Sequence, residues 1–210
     1  MSKRLASLVC ALAVALLPRA ALAEREPVFP VDVAVTSDEG HEVVDRAWID
    51  REIAAAERVF GPIGVHVRVE SVRSLGPELA RIEDPRMRDR FAPLVTAHRI
   101  QVFVVRSLRD NVEVGVYRGG VTWDSVPSAQ NGPTRRFVLL AATAAESSLA
   151  HELGHFFGLR PHSTVKNNLM SYDRDDALVF LDPSQQATVK ATSRALRASG
   201  SLPAVDWIDR

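Results

Sequence analysis

Between Arg136 and Leu159 an apolar run leads into a second apolar stretch that carries two histidines and a glutamate, His151, Glu152 and His155. A stretch this apolar has to be buried, and ionisable groups in a buried segment are costly unless each has a partner. Arg136–Ala141 is short and unbroken, as expected of an interior strand. A helix is expected over 144–159, with Thr143 and Glu146 three residues apart as a capping box at its start. Residues four apart on a helix stand on one face, about 6 Å apart along the axis. His151 and His155 can then reach a single cation, and Glu152, about 100° further round, lies beside it.

The rest of the chain supplies a sheet for that helix. Val31–Val35 alternates with period two, and so does Val65–Val72, as half-buried strands do. Arg46–Phe60 has an apolar stripe at helical spacing and is stopped by Gly61-Pro62. A short helix is expected over 84–97, with Pro85 in its first turn. Ile100–Val105 is the most apolar strand and is expected inside the sheet, whereas Val112–Tyr117, ended by Gly119-Gly120, is expected at its edge. Pro183 and Ser184 open a last helix reaching Ala198. This order predicts an α+β fold: a mixed, twisted β-sheet with an antiparallel edge strand, packed on the active-site helix and two or three other helices.

The N-terminus reads as an address. A basic start (Lys3, Arg4), an apolar run from Leu5 to Leu17 and the small-residue ending Ala21-Leu22-Ala23 predict a cleavable signal peptide over residues 1–23. The apolar run is well short of the ~20 residues a spanning helix needs, so no membrane span is expected after cleavage. One domain, residues 24–210, remains, destined for the periplasm or the exterior. Lys3, Arg4 and Arg19 leave with the signal, so 23 basic residues face 26 acidic ones. That balance gives no reason to expect nucleic acid as a partner, and the chain is read as a monomer. Cys10, the only cysteine, also leaves, which excludes disulfides and thiolate metal sites from the mature chain.

Two imidazoles and a neighbouring carboxylate are the equipment for hydrolysis at zinc. Zn²⁺ binds imidazole nitrogen at about 2.0–2.1 Å. It lowers the pKa of water toward ~7, and a carboxylate can then take the proton as the water attacks a carbonyl. A third protein ligand is needed. No glutamate follows Glu152. Gly158 can turn the chain out of the helix in a left-handed conformation, and His162 follows, held in an extended approach by Pro161. Asp173, Asp175 and Asp176 are the alternatives. Activity is expected to decline below about pH 6, where protonated histidines release the metal.

The segment HELGHFFGLRPH, from His151 to His162, resembles the H-E-x-x-H-x-x-G-x-x-H helix of the metzincin metallopeptidases, with the third histidine one residue later. Asn168-Leu169-Met170-Ser171-Tyr172 is similar to that family's methionine turn, and the stretch from Asn167 to Gln186 resembles matrixin-like and pappalysin-like members. The resemblance implies that Met170 packs beneath the histidines. It implies that Tyr172, placed as in the astacin and serralysin branches, is a metal ligand or a donor to the transition state. It also implies that the edge strand binds a peptide or protein substrate in extended form. The expected function is an exported zinc-dependent endopeptidase with Zn²⁺ on His151, His155 and His162, Glu152 as general base and Tyr172 assisting. Two alternatives stay open: a catalytically inactive peptide-binding module on the same scaffold, and a zinc hydrolase of a non-peptide amide.

Overall fold

In a computed structural model, residues 26–110, 115–125, 134–203 and 205–206 are described. The segment read as a signal peptide lies outside them. The strands are β1 (Pro27–Asp38), β2 (His41–Glu42), β3 (His66–Leu75), β4 (Arg81–Ile82), β5 (Ile100–Val105), β6 (Ser107–Leu108), β7 (Gly120–Ser125), β8 (Arg135–Ala141) and β9 (Val205–Asp206). The α-helices are α1 (Arg46–Phe60), α2 (Ser148–Phe156) and α3 (Pro183–Ala198).

β1 runs parallel to β3 on one side and to β5 on the other, and β5 runs parallel to β8. β7 closes this order antiparallel to β8, and among the described residues β8 is its only partner. The fold is thus the expected α+β arrangement of a mixed sheet with an antiparallel edge. A parallel sheet must be covered on both faces, and this one is. Val31, Val33, Val35, Val102, Val104, Val138 and Leu140 face α1, α2 and α3 in the larger core. Phe103, Phe137, Leu139 and Ala141 face the other way, against Phe91 and Ile82. Both faces of β5 are buried along its whole length, which is why its sequence is a continuous apolar run.

Three elements depart from expectation. The helix expected over 84–97 is a 3-10 helix, Pro85–Leu94. Pro93 lacks the N–H that an α-helical ladder needs there and its ring would clash with the carbonyl four residues back, whereas Pro85 stands in the first turn, where no N–H is used. The edge strand expected over Val112–Tyr117 falls partly on residues 111–114, outside those described, and Tyr117 makes only an isolated bridge with Arg109. The edge strand is β7, which begins at the glycine expected to end it. Finally, α2 starts at Ser148, four residues later than expected, and the capping box does not form. Glu146 instead accepts a hydrogen bond from Arg58 of α1. Ser147, at the N-cap, makes no side-chain cap. The backbone N–H of Leu149 is taken by the side-chain carboxyl group of Glu52, reaching over from α1 at 2.9 Å. The first turn of α2 is therefore satisfied by a residue 97 positions upstream, a partner no local reading can find. Among the described residues no helix is long and apolar enough to cross a membrane.

Candidate metal centre

α2 ends in a way that builds part of the site. Gly158 has φ 93°, and its N–H bonds to the carbonyl of His155 while that of Leu159 reaches the carbonyl of Gly154. These paired bonds past a left-handed residue form a Schellman cap, and a side chain at Gly158 would strain it. The turn brings the carbonyl of Leu159 within 2.9 Å of His155 Nδ1. On the other side of the site, His151 Nδ1 lies 2.7 Å from the carbonyl of Leu169. A carbonyl only accepts, so both Nδ1 atoms carry the ring proton and both Nε2 atoms present lone pairs.

Those lone pairs converge. His162 Nε2 lies 3.3 Å from His151 Nε2 and 3.1 Å from His155 Nε2. At most one of these contacts can be a hydrogen bond, because His162 Nε2 carries at most one proton. Three imidazole nitrogens at about 2.0–2.1 Å from a tetrahedral cation are about 3.3 Å apart. The donor set therefore fits a divalent metal, with the other ring nitrogen of His151 and of His155 oriented by a carbonyl as metal-binding histidines require. Among the described residues these three histidines form the cluster able to hold an ion, and Asp173, Asp175 and Asp176 stand outside it. Asp176 instead accepts a hydrogen bond from Ser147. The Arg160–Pro161 peptide bond before His162 is cis. His66 and His98 lie elsewhere, on Glu26 and Glu57 and on the carbonyl of Gly200 respectively.

Glu152 is 5% exposed beside the triad. Burial pushes its carboxyl up to about 7, against the pull of hydrogen bonds from Thr122 of β7. The Thr122 hydroxyl stands 3.1 Å from Oε2 and 2.6 Å from the Glu152 carbonyl oxygen, so one proton serves two acceptors and the edge strand is tied to α2 at the carboxylate. Burial holds all three histidines below the usual imidazole range, His151 to about 3. They stay neutral, as metal ligands must.

Met170 is fully buried beneath α2. Its position depends on Gly154, because a Cβ there would come within 2.7 Å of the Met170 sulfur. We expect Gly154→Ala to cost about 1–3 kcal/mol through overpacking, read as a lower Tm in thermal denaturation. A variant as stable as the parent would mean that Met170 gives way freely. The turn before Met170 is pinned by Asn168, whose side-chain amide pairs reciprocally with that of Gln185 at 2.8 and 2.9 Å and whose Oδ1 accepts from the Met170 N–H. Tyr172 is 73% exposed, its hydroxyl 3.5 Å from His162 Nδ1.

The site opens into a cleft of about 800 Å³ that also reaches Asp110, Arg118, Arg160 and Arg174. Sequence reasoning gave none of these a role. Thr122 and Glu52 were also missed. No signal within the sequence marks them, since each acts on a residue far away along the chain.

No family model matches the chain, and no curated protein matches it. Solved structures similar to it include three metalloproteinases. Metalloproteinase-II from Bacteroides fragilis superposes with a TM-score of 0.54 at 10% identity, over 80% of this chain and 53% of that one. This chain therefore spans about half the length of that relative. Tannerella forsythia promirolysin, mutant E225A, gives 0.61 at 11% identity, over 85% of this chain and 83% of the other. Mature mirolysin of the same organism, in complex with a cleaved peptide, gives 0.57 at 13% identity, over 84% and 98%. At such identities the likeness is one of architecture: the chain has the fold seen in these metalloproteinases.

Proposed function

We propose that this chain is an exported, zinc-dependent endopeptidase of the metzincin type. The observation that carries the reading is the convergence of three Nε2 atoms beside a buried carboxyl group, in an open cleft flanked by β7, whose outer edge has no strand partner among the described residues. His151, His155 and His162 hold the metal. When bound, zinc supplies a Lewis acid for the scissile carbonyl and lowers the pKa of water toward ~7. Glu152 takes the proton from the attacking water and returns it to the leaving amine. Thr122 holds the Glu152 carboxylate in place through its hydroxyl. Tyr172 swings its exposed hydroxyl to donate a hydrogen bond to the oxygen on which negative charge develops. The outer edge of β7 receives the substrate as an added strand, its backbone N–H and C=O groups pairing with those of the peptide. The mirolysin structure with a cleaved peptide supports a peptide as the substrate class.

Removal of residues 1–23 sends the monomeric domain to the periplasm or the exterior. Metal analysis of the mature chain together with a peptide-library digest read by mass spectrometry tests the whole reading. One zinc per chain and cuts within peptides are expected, both lost in His162→Ala. A chelator should abolish cleavage and added zinc restore it. A zinc-loaded protein that cuts nothing in a broad library would leave only peptide capture or a non-peptide substrate.

A further inference from the structure

We propose that Arg174 is a specificity-determining residue, and that its open guanidinium edge receives the side-chain carboxylate of an aspartate or glutamate in the substrate. This inference rests on the peptidase reading and names the substrate class of the same cleft.

Arg174 is clamped by neutral groups. Its Nε donates to Ser147 Oγ at 3.1 Å, and its Nη1 donates to the carbonyls of Ser171 and Leu169. Nη1 also lies 2.9 Å from His151 Nδ1, but that nitrogen already carries the proton given to Leu169, so the contact is packing and not a hydrogen bond. Nη2 has no partner among the described residues. It is not one of the buried unpaired polar atoms either, which are Arg88 Nε and Gln101 Oε1. It is therefore open to solvent, on a residue that lines the cleft.

Among the described residues no carboxylate answers this cation at contact distance. Asp176 and Glu152 act on it only at longer range, and Asp176 is committed to the Ser147 hydroxyl. The neighbouring cations of the cleft have partners of their own. Arg118 is bonded to Asp110. Arg160 lies 3.9 Å from Asp124, whose two oxygens are held by Arg136. A half-buried guanidinium beside a metal-ligating histidine is a standing excess of positive charge, and a metal on the triad adds to it. An anionic side chain relieves both. Because three anchors fix the guanidinium plane, its free edge is already oriented, and little rotamer entropy is lost when a carboxylate docks.

The test uses matched peptides that differ only by Asp or Glu against Asn or Gln near the cut. For the wild-type enzyme, kcat/KM should favour the acidic peptides by about 10–100-fold, the range for a hydrogen bond to a charged group. Arg174→Gln should erase that ratio, whatever the absolute rate at which the amide peptides are cut. A residue that only braces the Ser147–Ser171 contact would instead lower every peptide alike. Binding of the same peptides to Glu152→Gln protein, followed by fluorescence anisotropy, separates this inference from the peptidase reading and needs no change at Arg174. Preferential binding of acidic peptides without any cleavage by the wild type supports the carboxylate subsite and overturns the peptidase. Equal binding of acidic and amide peptides overturns the role of Arg174, whatever is cut.

Discussion

Replacing Glu152 with glutamine is expected to lower kcat/KM for a cleavable peptide by about 10²–10⁴-fold, the contribution of a positioned general base, while metal content and Tm stay close to those of the parent. The triad does not use Glu152 as a ligand, so the metal has no reason to leave. Glutamine fills the same volume and can still accept the Thr122 hydrogen bond that ties β7 to α2. What it cannot do is accept a proton at neutral pH. The pH profile gives a second readout. Burial pushes the Glu152 carboxyl up to about 7, and a cation on the triad draws it back down. As a base it must be ionised, so activity is present above this pKa and falls as pH drops through it. That acid limb, at or below pH 7, should vanish from whatever residual activity the glutamine variant keeps. Metal analysis alongside peptide kinetics checks the prediction, and a variant that cleaves at the parental rate would falsify the role of Glu152.

The second large effect concerns stability. Glu52 is 2% exposed, and burial pushes its carboxyl up to about 8 despite the Leu149 hydrogen bond; the charges of Asp176 and Glu146 add to the rise. The folded pKa lies above the ordinary value of 4.5, so the native state holds a proton that the unfolded chain releases. Stability linked to this group is fully present below about pH 4.5 and is lost as pH rises through about 8, at about 1.4 kcal/mol for each pH unit of the window. Glutamine cannot ionise, and its carbonyl can still accept from the Leu149 N–H. Glu52→Gln should therefore match its parent near pH 4.5, gain steadily with rising pH, and level off above pH 8. Each kcal/mol corresponds to about 2–4 °C in Tm for a chain of this size. Glu52→Ala should instead lose stability at every pH, about 1–3 kcal/mol, because the Leu149 N–H is left unpaired. Thermal scans of the three proteins from pH 4.5 to 9 decide the matter. Parallel curves for parent and glutamine variant would mean that Glu52 is ionised in the folded chain.

The accuracy of the sequence reading follows how local each signal is. α1 runs over Arg46–Phe60 and α3 over Pro183–Ala198 as expected, because Gly61-Pro62 ends one and Asp182-Pro183 begins the other through nearest-neighbour chemistry. β5 was legible because a strand buried on both faces cannot hide its composition. The start of α2 was not, since Glu146 turns to Arg58 and the free amide of Leu149 turns to Glu52. The edge strand was misplaced because Gly120 reads as a stop and serves as a start. At the candidate metal centre, the gathering of His151, His155 and His162 with Glu152 beside them was legible from spacing. Their setting was not: Thr122 on the carboxylate, the paired amides of Asn168 and Gln185, and the Arg174 clamp each join residues whose proximity exists only after folding.

The position of β1 has a consequence for how the protein is made. Val31 pairs with Ile100 on one side and with Val69 on the other, both in parallel register. A ribosome therefore releases this strand before either neighbour has been synthesised, and the sheet cannot be completed until the chain has emerged past Ala141. Pairing over such separations delays the folding transition relative to a helical bundle of equal size. Through that interval the polypeptide stays open and threadable, the form that the export proposed above would require.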